Sequence, residues 1–221
     1  KLADLLMSHP AGRLHQKIRD WVRALAPYGI PENQLGITGS VLIGAEGTGS
    51  DLDFVFYDQT IFHAARRAIK VLQSSGVFDP LDEAAWKEAY AKRGCDLDFK
   101  SYLFHELRKF NKGLIQGTKF DLTLVTDQKE APHPSTKMGQ RSLTARVVDS
   151  GAAFAYPAIY RIEHPEIQDI HCYTQTYCGQ AEQGEWIEVS GVVEQTADGV
   201  KRLIVGTSRE APGEYIRVIK P

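Results

Sequence analysis

Two short stretches of this 221-residue chain carry residue types that could do chemistry. The first is the pair Gly39-Ser40, and the second, after a ten-residue spacer, is Asp51-Leu52-Asp53, preceded by Ser50. The run Gln34-Leu-Gly-Ile-Thr38 reads as a short strand ending on the Gly-Ser pair. Val41-Leu-Ile-Gly44 then starts a turn or short helix, whose free backbone N–H groups suit an anion. Asp51 and Asp53 sit two apart on a strand running to Tyr57, so both point to the same side. Two carboxylates that close repel each other unless a cation stands between them. Oxygen-only ligands beside a phosphate favour Mg²⁺ or Mn²⁺ over zinc.

The elements that would position these residues alternate helix and strand. Leu14, Ile18, Trp21, Val22 and Leu25 recur at helical spacing between Arg13 and Ala26, and Tyr28-Gly-Ile-Pro31 ends that helix. Further helices are expected over 61–75, 83–93 and 99–110, closed by Gly76 and Gly94 in the first two cases. Lys119-Phe-Asp-Leu-Thr-Leu-Val125 reads as a buried strand carrying Asp121. The tetrapeptide Asp-Leu-Asp-Phe occurs twice, at 51–54 and 96–99. The second copy precedes a helical run, so Asp96 or Asp98 is expected to cap that helix, with Asp98 as the alternative third carboxylate.

Gly-Ser, a spacer of about ten and Asp-x-Asp on a strand resemble the nucleotidyltransferase superfamily typified by DNA polymerase beta. That superfamily also contains CCA-adding enzymes, poly(A) polymerases and aminoglycoside nucleotidyltransferases. The resemblance covers roughly residues 10 to 127, and it calls for a third carboxylate on a later strand, for which Asp121 is the candidate. It implies transfer of a nucleoside monophosphate from an NTP, ATP included, to a hydroxyl, with pyrophosphate released. Asp51 and Asp53 would bridge two Mg²⁺ (or Mn²⁺) ions, and Asp121 would complete the site of the hydroxyl-activating one. Gly39 and Ser40, with Ser50 beside Asp51, would hold the nucleotide phosphates. His105, Arg108 and Lys112 share a face if the helix continues, with Lys109 to one side, and Arg108, Lys109 and Lys112 are the candidate cations for the triphosphate or an acceptor backbone. Arg66, Arg67 and Lys70 offer a weaker patch, expected to be a solvated helix face.

Beyond Asp127 the pattern changes. Residues 131–140 read as a linker between a catalytic domain over 1–130 and a β-rich domain over 141–221. Short apolar runs at 143–148, 158–162, 170–177, 186–193, 200–205 and 215–219, with a hairpin turn at Ala197-Asp-Gly199, suggest a small OB-like barrel. The expected class is therefore α+β: a nucleotidyltransferase domain followed by an all-β barrel. From Arg141 onward the chain carries 8 Lys and Arg against 11 Asp and Glu, an acidic balance that is unusual for a nucleic-acid groove. Rings at Phe154, Tyr156, Tyr160, Tyr173, Tyr177, Trp186 and Tyr215 could stack on bases, although most are expected in the core.

Overall charge is near balance, with 26 Lys and Arg against 28 Asp and Glu, so no global basic field advertises nucleic acid. No apolar run is long enough to span a membrane, and three irregularly spaced cysteines argue against a disulfide framework, pointing to a reducing cytoplasm. His164, His171, Cys172 and Cys178 match no zinc-ligand spacing. The preferred acceptor is an RNA 3′ end, ahead of a DNA end, a protein hydroxyl or a small molecule. Another class of reading is a non-catalytic or regulatory NTP-binding partner of the same fold, antitoxin-like. All three carboxylates are present, which favours the enzyme.

Overall fold

Trp21 is the hub of the first packing arrangement. A computed structural model describes residues 2, 12–47, 49–126, 134–208 and 211–219. The chain divides into two units, Lys1–Glu83 with Lys109–Thr126, and Ala84–Arg108 with Asp127–Pro221. In the first unit helix α1 (Arg13–Leu25) buries Ile18, Trp21, Val22 and Leu25, residues spaced by three and four that lie along one stripe. The Trp21 ring stacks on Phe54 at 3.7 Å and meets Phe56, Phe78 and Phe120 at 5.9 to 6.5 Å. Burying rings of this size contributes about 1.5–3 kcal/mol each, and this cluster pins the helix to the sheet.

That sheet has four strands: β1 (Leu35–Thr38), β2 (Leu52–Phe56), β3 (Lys112–Ile115) and β4 (Thr118–Leu124). Their order is β1-β2-β4-β3, with β2 and β4 parallel and the other two pairs antiparallel. The five-residue helix α2 (Gly39–Ile43) follows β1 directly. Helix α3 (Gln59–Ser74) follows β2 and is capped by Asp58, which accepts from the Ile61 N–H at 2.9 Å. Leu52, Phe54 and Phe56 of β2 and Phe120, Leu122 and Leu124 of β4 are all buried. Alternation therefore sends Asp53 and Asp121 to the opposite face of the sheet.

The second unit contains α4 (Glu83–Arg93) and α5 (Phe99–Lys109), apart from the first residue of α4 and the last of α5. Its strands are β5 (Ser135–Asp149), β6 (Ala158–Glu163), β7 (Asp169–Cys172), β8 (Trp186–Thr196), β9 (Lys201–Val205) and β10 (Tyr215–Val218). Pairing runs β5-β6-β7-β9-β8 and back to β5, which closes a five-stranded barrel, and β10 adds to β8 outside the ring. Only β7 and β9 run parallel within it. The barrel core is organised by Tyr160, whose hydroxyl donates to Tyr177 O at 2.7 Å and accepts from the Gln180 N–H at 2.8 Å. Burial drives the Tyr160 phenol well above its ordinary pKa, so it stays protonated as a donor.

Several expectations need correction. Helices α4 and α5 were expected with residues 1–130, but residues 84–108 cluster with the barrel, and the link runs through α5 and the turn before it. His105 lies between Gln180 O at 3.1 Å and the Val218 N–H at 3.3 Å, and Asp96 accepts from the Gly213 N–H. The expected linker 131–140 is strand from Ser135 onward, because the first half of β5 pairs with β8. Residues 131–133 lie outside the described residues. The expected strand over 170–177 ends at Cys172, where Thr174 caps a 3₁₀ turn over Gln175–Tyr177. The second Asp-Leu-Asp-Phe is a cap, as expected: Asp98 accepts from Ser101 N at 2.9 Å and from its hydroxyl at 2.6 Å. These bonds hold the Asp98 carboxyl below its usual range.

Candidate functional site

The rim of the first sheet gathers the Gly-Ser pair and three acids through strand register alone. Thr38, the last residue of β1, pairs with Asp53, and Asp53 pairs with Asp121 across the parallel β2–β4 contact. Gly39 follows Thr38 with φ +68°, and a Cβ there would stand 2.3 Å from Asp53 Oδ2. Only glycine lets the backbone pass that close to the carboxylate. The Ser40 hydroxyl meets the Ser50 hydroxyl at 3.0 Å, and Ser50 Oγ accepts from the Gly47 N–H at 2.9 Å. The two ends of the spacer loop are thus tied together, which explains why a serine stands before Asp51.

Asp51 lies just before β2, in line with Lys119, since Leu52 pairs with Phe120. Lys119 Nζ donates to Asp51 Oδ2 at 2.9 Å. Asn111 Nδ2 donates to Asp121 Oδ1 at 3.3 Å, and Asn111 is held by its own carbonyl, which accepts from Leu122 N at 2.8 Å. Burial, and then the Asp51 charge, raise the Asp53 carboxyl above its ordinary pKa, with Lys119 opposing them. Among the described residues no group of three or more His, Cys, Asp or Glu comes together to hold a metal. The three acids share a rim, but Asp51 is engaged by Lys119 and Asp121 by Asn111. Their donor set is all oxygen, which fits Mg²⁺ or Mn²⁺. The His164, His171, Cys172 and Cys178 set forms no metal group either, and His164 Nδ1 instead accepts from the Glu166 and Ile167 N–H groups.

The expected cationic face dissolves. Helix α5 stops at Lys109, and Phe110 takes φ +49°, so Lys112 lies on strand β3 instead of continuing the helix. His105 is 1% exposed and serves the barrel. Arg108 belongs to the second unit, where it pairs with Glu185 at 2.7 Å and lies 5.3 Å from the Phe104 ring centre. Lys109 is buried, and its carbonyl accepts from Arg66 Nε. Of the three candidate cations, Lys112 is the one placed beside an acid of the rim, opposite Asp121 in the β3–β4 register. Sequence reasoning missed Lys119 and Asn111. The signal for Lys119 was its position two residues before Asp121, which puts it on the same strand face.

A cavity of about 590 Å³ is lined by Arg13, Lys17, Glu46, Gly47 and Thr118 among others. Thr118 shares the face of Phe120, so the cavity lies across the strand from Asp121.

No protein-family model matches this chain, and no solved structure matches it. It is similar to an uncharacterized protein of Methanocaldococcus jannaschii, 34% identical over 219 residues. The match covers 93% of this chain and 64% of that protein, so the chain spans less than two thirds of its relative's length. Among the described residues no helix is long and apolar enough to cross a membrane.

Proposed function

We propose that this chain is a metal-dependent nucleotidyltransferase of the polymerase beta-like type. It moves a nucleoside monophosphate from an NTP to a hydroxyl, with an RNA 3′ end as the preferred acceptor. The observation that carries the reading is the continuous register Thr38–Asp53–Asp121, with the Gly39 backbone against the Asp53 carboxylate. A chance pair of surface acids has no reason to sit beside a glycine whose φ and clearance both exclude a side chain.

In this reading the acceptor oxygen attacks the α-phosphorus, the bond from that phosphorus to the bridging oxygen breaks, and pyrophosphate leaves. Two Mg²⁺ or Mn²⁺ ions, held by Asp51, Asp53 and Asp121, would supply activation of the hydroxyl and neutralisation of the triphosphate. Asp121, positioned by Asn111, takes the hydroxyl proton. The Gly39 and Ser40 backbone and the Ser40 hydroxyl, steadied by Ser50, hold the β- and γ-phosphates. Lys112 supplies positive charge from the neighbouring strand. The closed barrel is read as OB-like, and Tyr156 and Trp186, each more than half exposed, are the most open of its candidate rings for an acceptor base, Tyr156 packing edge-on against Tyr173. Tyr160 and Tyr177 are not candidates for stacking, because both are core.

The test is incubation of the chain with each labelled NTP, Mg²⁺ or Mn²⁺, and separate RNA, DNA and protein acceptors. Transfer that disappears in the double variant Asp51→Asn, Asp53→Asn supports the reading. Retention of NTP without transfer to any acceptor favours the non-catalytic NTP-binding alternative.

A further inference from the structure

We infer that Lys119 is a built-in competitor of the divalent cation at Asp51, so that the cation loads well only together with a nucleotide. This rests on the nucleotidyltransferase reading and adds a control on its metal site.

The geometry is specific. Strand register sets Lys119 beside Asp51, because β2 and β4 run parallel with Leu52 opposite Phe120. Lys119 stands two residues before Asp121, so its side chain leaves the sheet on the same face as the acids. Its Nζ donates to Asp51 Oδ2 at 2.9 Å. Both side chains are partly open, at 37% and 45% exposure, so the pair is free to exchange partners. The ammonium occupies one of the two Asp51 oxygens and repels a second cation approaching the same carboxylate, so the two compete for it.

The charge balance gives the competition its direction. With Lys119 on Asp51, the rim offers a bare cation about one negative charge less than its acids carry. A triphosphate brings several negative charges and gives the ammonium another partner. Nucleotide therefore makes release of Lys119 favourable and frees Asp51 for the cation. Binding of cation and nucleotide is coupled, and the coupling works in both directions.

The experiment measures Mn²⁺ affinity directly, with and without a non-hydrolysable NTP analogue, for the wild type, Lys119→Met and Lys119→Arg. Removal of one competing surface charge should tighten binding of Mn²⁺ alone about twofold to fivefold in Lys119→Met. The gain in Mn²⁺ affinity from the analogue should shrink by the same factor, and Lys119→Arg should restore wild-type behaviour. If Lys119→Met binds Mn²⁺ alone no more tightly than the wild type, while the wild type binds Mn²⁺ with the analogue, the competition is overturned and the nucleotidyltransferase reading stands. If none of the three proteins binds Mn²⁺ with the analogue, that reading falls and the competition falls with it.

Discussion

Asp53 and Asp121 stand directly opposite each other on adjacent parallel strands, and the Gly39 backbone closes against Asp53 from the third side. Parallel pairing is the decisive detail. It brings two residues 68 positions apart to the same level of one sheet and to the same face. The hydrophobic alternation that buries Phe54 and Phe120 is the same alternation that exposes the acids.

Gly39→Ala should cut function steeply with a limited loss of fold. The new Cβ would meet Asp53 Oδ2 at 2.3 Å, in a backbone conformation that costs a non-glycine residue about 1–2 kcal/mol. Shifting the carboxylate by about 1 Å is enough to reduce nucleotidyl transfer about 100-fold. Thermal unfolding should show a Tm only a few degrees lower, about 2–8 °C. Transfer at wild-type rates would remove Gly39 from the site.

Asp53→Asn should stabilise the protein while inactivating it. The folded state raises the Asp53 pKa through burial and the Asp51 charge. A raised carboxyl favours the protonated form, so its contribution is favourable at acid pH and is lost as pH rises through the folded value. At pH 7 in chelator the neutral amide removes that penalty, and Tm should rise. The gain should vanish near pH 3, where the wild-type carboxyl is also protonated. A Tm that falls at pH 7 would contradict the electrostatic account.

Tyr160→Phe should be costly in the second unit. The hydroxyl serves Tyr177 O and the Gln180 N–H at once, and both lie in the barrel interior. Two buried partners left unsatisfied cost about 2–5 kcal/mol together. Chemical denaturation should show that loss, with little change in Mn²⁺ affinity.

Glu188 gives the opposite pH signature to Asp53. Hydrogen bonds from Tyr215 and Arg217 hold its carboxyl below the usual range. Its contribution is present above the unfolded pKa, near 4.5, and is lost as pH falls through the folded value. Glu188→Gln should cost about 0.5–1 kcal/mol at pH 7, because the pair is partly open to solvent. The difference from wild type should close at low pH. A difference that persists once the carboxyl is protonated in both the folded and unfolded states would mean that the amide perturbs packing instead.

The carboxylate rim was legible because it depends on short-range rules. Period-two alternation put Asp51 and Asp53 on one face, the family resemblance and a hydrophobic strand pointed to Asp121, and turn chemistry singled out Gly39. The barrel was legible as short strands and a hairpin turn, although its register was not. The basic patch misled because periodicity cannot see Phe110 adopting a positive φ, which ends α5 and turns Lys112 onto a strand. Helices α4 and α5 were misassigned for a related reason: His105 looks like a surface residue until the barrel supplies Gln180 and Val218. Lys119 was overlooked because its spacing from Asp121 sets only its face, while the parallel pairing that brings it to Asp51 is long-range.

The central claim is tested most directly by the fate of the label in parallel reactions with α- and γ-labelled NTP, Mg²⁺ and an RNA acceptor. Nucleotidyl transfer predicts α-label on the RNA 3′ end, γ-label released as pyrophosphate, and neither in the Asp51→Asn, Asp53→Asn variant. γ-Label on the acceptor, or α-label transfer that survives the double substitution, would contradict it.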